Sequence, residues 1–136
     1  MPLSYLSGLV PLYRHWQCVK MEQDLCYFGI RSYEPEEKEL IDSKQVLVFQ
    51  SSECDPLRMD SIEEQIHKYF KHKPNQSKYW ISFDIDGVDS SEFMSTGTDE
   101  GNGLKMDFVY NLMERMVPQT VGMDLTEVNF SLTEGE

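Results

Sequence analysis

Cysteine and histidine are scarce, three of each in the whole chain. Cys18, Cys26 and Cys54 are odd in number and show no Cys-x-x-Cys spacing, so the sequence carries no disulfide framework and no thiolate metal knuckle. The plain reading of all three thiols is a small buried hydrophobe. No apolar run is long enough to cross a bilayer, and no apolar N-terminal segment of the signal-peptide kind is present. A reducing, intracellular setting, cytoplasmic rather than secreted, is the expectation. Basic residues are also few: 12 Lys and Arg stand against 24 Asp and Glu, a formal net charge of -12. Such a field repels polyphosphates, which argues against nucleic acid and against an anionic membrane surface as partners and makes cations the natural counterpart. No repeat, low-complexity tract or Pro/Gly/Ser linker divides the chain. With 40% hydrophobic and 12% aromatic residues it can build a packed core, as one domain or part of one.

Four short runs read as strands: residues 24–30, 45–50, 78–84 and 120–126. Several are near-continuous apolar stretches (Val46-Leu47-Val48-Phe49, Tyr79-Trp80-Ile81-Ser82-Phe83), the pattern of parallel strands covered on both faces. Helices fit between them. Pro35 suits a first helical position and Glu36, Glu37 and Glu39 suit the positive end of a helix. Asp60 and Ser61 offer caps, with Glu63 and Glu64 three residues on, before a stripe of Ile62, Ile66, Tyr69 and Phe70 that ends at Pro74. Met106, Val109, Met113, Met116 and Val117 repeat at helical spacing up to Pro118, a core stripe rather than a cofactor box. Residues 4–12 are a further candidate helix. The alternation predicts an α/β fold with a parallel sheet, whose sites gather beyond the carboxyl ends of the strands.

The chemistry is concentrated in Ser82-Phe83-Asp84-Ile85-Asp86-Gly87-Val88-Asp89, at the end of the most hydrophobic strand. Period-two alternation sends Asp84 and Asp86 to one side and Ile85 to the other. Two bare carboxylates there repel each other and cost desolvation, so either one is protonated or a cation sits between them. All-oxygen donors suit Mg²⁺ or Mn²⁺. A solvated acid pair at a strand end is the plain alternative.

Two families share this short string. Asp84 to Val88 resembles the opening motif of haloacid-dehalogenase-like phosphatases, but those carry it near the N-terminus and need a later Lys and a later acidic pair. The fuller resemblance is to the arginase, or ureohydrolase, family. Residues 82–89 are similar to its Ser-Phe-Asp-x-Asp-Gly-x-Asp signature, and Thr96-Gly97-Thr98 and Gly103-Leu104 are similar to the Thr-Gly-Thr and Gly-Leu that succeed it there. A second motif, Gly122-Met123-Asp124-Leu125-Thr126-Glu127-Val128-Asn129, matches in order and separation. Upstream, Tyr27-Phe28-Gly29-Ile30-Arg31 followed by Glu34-Pro35-Glu36-Glu37 resembles a third arginase segment.

The resemblance implies a three-layer αβα architecture with a mostly parallel sheet, incomplete in this chain. Residues 1–136 would form a partial domain without the family's N-terminal metal-ligand segment and last helices. It implies a hydrolase that converts arginine to ornithine and urea at a dimanganese site, with Asp84 and Asp86 as metal ligands. Glu127 matches the glutamate that holds the substrate guanidinium, and Thr98 a threonine beside it. Glu34 stands where arginases have an Asp that reads the substrate's α-amino group, and Glu37 matches a nearby supporting acid. Agmatine has no α-amino acid end, so Glu34 and Glu37 favour arginine, with agmatine or another guanidino compound as the alternative. Physical logic agrees: paired metals acidify a water, and an acidic mouth attracts a cationic substrate.

The family's upstream His, its Asp-x-His-x-Asp segment and its His-Gly proton shuttle have no match here; residues 1–6 resemble the helix that comes after that His-Gly. His15, His67 and His72 do not stand in ligand-like contexts. No catalytic residue is therefore assigned within this chain, and its metal binding alone is expected to be weak or partial and its activity absent. A non-catalytic arginase-like binding or subunit protein is the alternative. Lys105 to Phe108 lacks the Arg-Glu pair of the family's trimer contact, so that trimer is not expected, although an oligomer is possible. Ser90 replaces the usual Pro after Asp89, and Asp99-Glu100-Gly101-Asn102 makes the following loop more acidic and, by expectation, looser. Asp124 reads as a fold-supporting acid.

Overall fold

The apolar runs become four strands in a computed structural model, which describes residues 2–10, 18–73, 78–93, 97, 101–129 and 131. They are β1 (Cys26–Ile30), β2 (Leu47–Gln50), β3 (Tyr79–Asp84) and β4 (Thr120–Thr126). The helices are α1 (Pro2–Leu6), α2 (Met21–Asp24), α3 (Pro35–Lys44), α4 (Met59–Tyr69) and α5 (Met106–Met116). β1 pairs with β2 and β3 with β4, both in parallel, with Phe28 opposite Phe49 and Asp84 opposite Thr126. A lone parallel bridge joins Val88 to Leu104. Among the described residues the strands thus form two parallel pairs rather than one continuous sheet.

The core lies where α4 and α5 meet β1 and β2. Met59, Ile62 and Ile66 of α4 and Phe108 and Val109 of α5 are buried together with Phe49, Cys54 and Leu104. Phe28 stacks on Phe49 at 5.0 Å between ring centroids and lies 6.4 Å from Phe108. The helical stripe on α5 is centred on Phe108, which the methionine spacing had passed over. Met113 and Met116 pack at its margin, while Val117 is exposed at the start of the 3₁₀ turn Val117–Gln119 that Pro118 imposes. Between the two helices Arg115 bridges Asp60 at 2.8 Å and Glu63 at 2.6 Å.

Several boundaries differ from the sequence expectation, each for a local reason. The first strand starts at Cys26, because Asp24 closes α2, where its carboxylate accepts the Lys20 amide at 2.7 Å and pairs with Lys73. α1 ends at Leu6; residues 11 and 12 of the expected helix lie outside the described residues. Asp60 and Ser61 do not cap α4. Asp55 instead accepts the Leu57 amide at 2.8 Å and caps the preceding 3₁₀ turn Pro56–Arg58, which runs directly into Met59. Nor is β3–β4 covered on both faces: Trp80, Val121 and Leu125 are 64%, 67% and 54% exposed. Of the thiols, Cys54 is buried and Cys26 half-buried, and burial pushes them up to about 11 and about 12, so both stay protonated and inert. Cys18 is exposed, against the expectation that all three would be buried.

α3 ends on Gln45, which adopts φ 51 in the left-handed region and donates its amide to the Asp42 carbonyl at 3.1 Å, while the Val46 amide reaches Ile41 at 3.2 Å. Glycine is the residue that takes this position without a Cβ clash. Gln45→Gly is expected to stabilise the chain by about 1 kcal/mol, raising the thermal midpoint by roughly 4 °C. Gln45→Val should lower it, and circular dichroism melts of the two variants check the pair.

Candidate functional site

β3 stops at Asp84 because the carboxylate turns back on its own backbone. Asp84 Oδ1 accepts the Asp86 amide at 3.0 Å and initiates the 3₁₀ turn Ile85–Gly87. Asp86 is therefore placed by a turn and not by strand alternation, which corrects the geometric argument for the pair. Ile85 is 5% exposed and anchors the turn from below, Asp84 is exposed, and Asp86 is half-buried. Asp86 Oδ1 is buried without a hydrogen-bond partner. A desolvated carboxylate oxygen with nothing to accept from is costly, and a cation is the partner that relieves it.

Register brings a third acid to the same end of the strand pair. Asp84 lies opposite Thr126, so Glu127 comes immediately after, at the carboxyl end of β4. Glu127 is exposed and holds φ 62, a conformation that costs a non-glycine residue of order 1 kcal/mol and is found most at functional positions. Asp84, Asp86 and Glu127 thus share one end of the β3–β4 pair. Glu34 and Glu37 stand on the turn after β1 and in the first turn of α3; both are exposed, and Glu37 Oε2 accepts the Glu34 amide at 3.1 Å. Arg31, just past β1, donates to the carbonyl oxygens of Asp86 at 2.8 Å and Gly87 at 3.3 Å, which ties the end of β1 to the Asp86 turn. Thr98 lies outside the described residues, as does His15, while His67 and His72 are exposed at the end of α4 and just beyond it. Among the described residues no group of three or more His, Cys, Asp or Glu gathers around one point. The donor set fits two hard-oxygen ligands of a divalent cation, a part of a cage rather than a whole one.

Two neighbouring acids are occupied by the fold. Asp124 accepts the Trp80 indole at 2.6 Å and the Ser82 hydroxyl at 2.7 Å, and these bonds, the Ser82 one foremost, hold its carboxyl below the usual range. That is the fold-supporting role expected of it. Asp89, 6% exposed, is the hub of the loop stem. It accepts the Ser91 hydroxyl, the Ser91 amide at 3.1 Å and the Gly103 amide at 3.1 Å, and Lys105 Nζ stands 3.1 Å away. Ser91 foremost, and Lys105, hold its carboxyl well below the usual carboxylate range, and the bond to Asp89 raises Lys105 in turn. Glu92 adds a bond from the Met106 amide at 2.6 Å. At its stem the loop is firmly held; Asp99 and Glu100, on which the expectation of a looser loop rests, lie outside the described residues.

The family model described as the arginase family matches residues 4–136. The chain belongs to the arginase family. It is 28% identical to the arginase of Entamoeba histolytica, whose structure in complex with L-ornithine it matches with a TM-score of 0.82 over 98% of this chain and 46% of that one. Arginase-1 of Bos taurus is 29% identical over 81% of this chain and 34% of its own length. The agmatine ureohydrolase of Thermoplasma volcanium is also similar, 29% identical with a TM-score of 0.62, over 81% of this chain and 36% of that one. The chain thus spans between a third and a half of the relatives it matches, and its α/β architecture is that of an incomplete αβα arginase fold. Two residues of this arginase-family chain went unassigned in the sequence, Arg31 and Asp89. Asp89 was visible only as part of a motif. Arg31 likewise stood within a motif and offered one further signal, a cation directly after a strand and ahead of several acids.

Proposed function

We propose that this chain supplies the carboxylate wall of a manganese-dependent amidinohydrolase site that splits arginine and water into ornithine and urea. The observation that carries the reading is the buried, unpartnered Asp86 Oδ1 beside Asp84 at the strand end that Glu127 shares. Asp84 and Asp86 would hold the metal. Paired divalent ions, when bound, acidify a water and orient it toward the guanidinium carbon. Glu127, exposed and fixed by its backbone, receives the guanidinium and offsets its charge, with the Thr98 hydroxyl beside it. Glu34 takes the substrate's α-ammonium group, with Glu37 in support. The surrounding negative charge draws a cationic substrate in. Residues 1–136 act as one partial domain in a cytoplasmic setting, and no helix among the described residues is long and apolar enough to cross a membrane. The likeness to an agmatine ureohydrolase supports a second reading in which agmatine is the substrate and Glu34 and Glu37 serve the fold alone.

Titration of Mn²⁺ into the chain, followed by the electron paramagnetic resonance signal of the free ion, tests the metal reading. Weak binding is expected, reduced about tenfold or more by Asp84→Asn or Asp86→Asn because each removes ligand charge. An affinity indifferent to both substitutions would sink it. Urea release by the protein isolated from its source, measured with arginine and with agmatine separately, decides the substrate. Release from neither would leave a non-catalytic binding protein.

A further inference from the structure

The Asp86 turn is held from behind. Its backbone amide is taken by Asp84 Oδ1 at 3.0 Å and its carbonyl by Arg31 Nη2 at 2.8 Å, so both backbone polar groups of Asp86 are fixed, while its carboxylate Oδ1 is buried without a partner. The next carbonyl, Gly87, accepts Arg31 Nη1 at 3.3 Å and the Leu104 amide at 2.8 Å, while Ile85 accepts Val88 at 3.0 Å. Arg31 and Asp86 are 55 residues apart in sequence, and β1 is shaped to bring them together. Its register slips between Phe28 and Ile30, and Gly29 there takes φ 76 with the Leu104 side chain 2.6 Å from where a Cβ would stand. Leu104 thus packs on the end of β1 and bonds the Asp86 turn at the Gly87 carbonyl. The two strand ends meet around this turn, with Arg31 as the charged clasp.

We infer that Arg31 is a positioning residue for the metal-binding carboxylate: by fixing the Asp86 and Gly87 carbonyls it sets the direction in which the Asp86 carboxylate presents its unpartnered oxygen to a divalent cation. The inference rests on the reading of Asp86 as a metal ligand. A guanidinium suits the task because its planar fork reaches two adjacent carbonyls at once, which an ammonium on a flexible stem does not do in fixed geometry. Residues that orient a metal ligand alter metal affinity by about 10- to 100-fold when removed, although they never touch the ion.

The test measures Mn²⁺ affinity of the full chain by electron paramagnetic resonance, together with its urea unfolding midpoint, in Arg31→Met, Arg31→Lys, Asp86→Asn and the Arg31→Met/Asp86→Asn double variant. Arg31→Met is expected to weaken Mn²⁺ by about tenfold, with Arg31→Lys between it and the parent. Once Asp86 is neutralised, Arg31→Met should cause no further loss, because both changes act through one carboxylate. Arg115→Met, which cuts the ion pairs between α4 and α5, should lower the unfolding midpoint and leave Mn²⁺ affinity alone. If Asp86→Asn weakens Mn²⁺ but Arg31→Met and Arg31→Lys do not, the positioning role is overturned and the metal reading stands. If Asp86→Asn changes nothing, the metal reading fails and takes the positioning role with it. Should Arg31→Met fail to fold, Arg31→Lys decides alone, and parent-like affinity in that variant overturns the role.

Discussion

Phe108→Ala is expected to destabilise the chain by about 3–5 kcal/mol, more than any other single truncation in this core. Phe108 is fully buried, borders Phe28 across 6.4 Å, and joins the core face of α5 to the α4 residues Ile62 and Ile66. Its removal costs the transfer free energy of the ring and leaves a void between two helices, whose approach is already fixed by the Arg115 pairs. Domains of this size are stable by only about 5–15 kcal/mol, so the loss takes a large part of that margin. Urea titration followed by tryptophan fluorescence measures it. Phe108→Leu, which keeps most of the volume, should recover a large share, and an Ala variant with parent-like stability would show that the core lies elsewhere.

The second large effect concerns Asp89. Its folded carboxyl titrates below the ordinary 3.8, so the unfolded chain takes up the proton first. The stability it confers is complete above about pH 4 and is lost as the pH falls from there toward the lower folded value. The parent should therefore lose urea resistance steeply below pH 4, and Asp89→Asn should be weaker at pH 7 with a shallower acid decline. Asp89→Ala should be worse at neutral pH, because it also strands the buried Gly103 amide, a loss of about 1–3 kcal/mol for that group. Urea midpoints at a series of pH values check the three curves, and identical acid slopes in parent and Asp89→Asn would assign the acid sensitivity to other carboxylates.

The strands were legible because each is a short apolar run, and β2, β3 and β4 fall within a residue or two of their expected bounds. α3 and α5 were legible from Pro35 and from the apolar stripe before Pro118. The misreadings share a cause: side chains that serve the backbone locally. Asp24, Asp55 and Asp84 each accept a backbone amide within a few residues, which ends or starts an element where hydropathy alone would continue it. That is why the strand rule placed Asp84 and Asp86 on one face when a 3₁₀ turn sets the position of Asp86. Phe108 escaped because the methionines on α5 drew the stripe away from it. Arg31 is a different case: local pattern marks it as a cation after a strand but not its partner 55 residues away, which only the Gly29 slip and the Leu104 contact bring within reach.

The Asp89 stem also bears on how such a site can change over generations. Its bonds to Gly103 and Leu104 close the loop at its base, independently of the residues in between. Once the ends of a loop are pinned, doubling its length costs only about 0.6 kcal/mol. Between Phe93 and Gly101, beyond the pinned stem, a change of loop length is therefore cheap, with Asp84 and Asp86 on the other side of the stem. Differences in substrate choice between relatives of this chain can be sought first in that stretch.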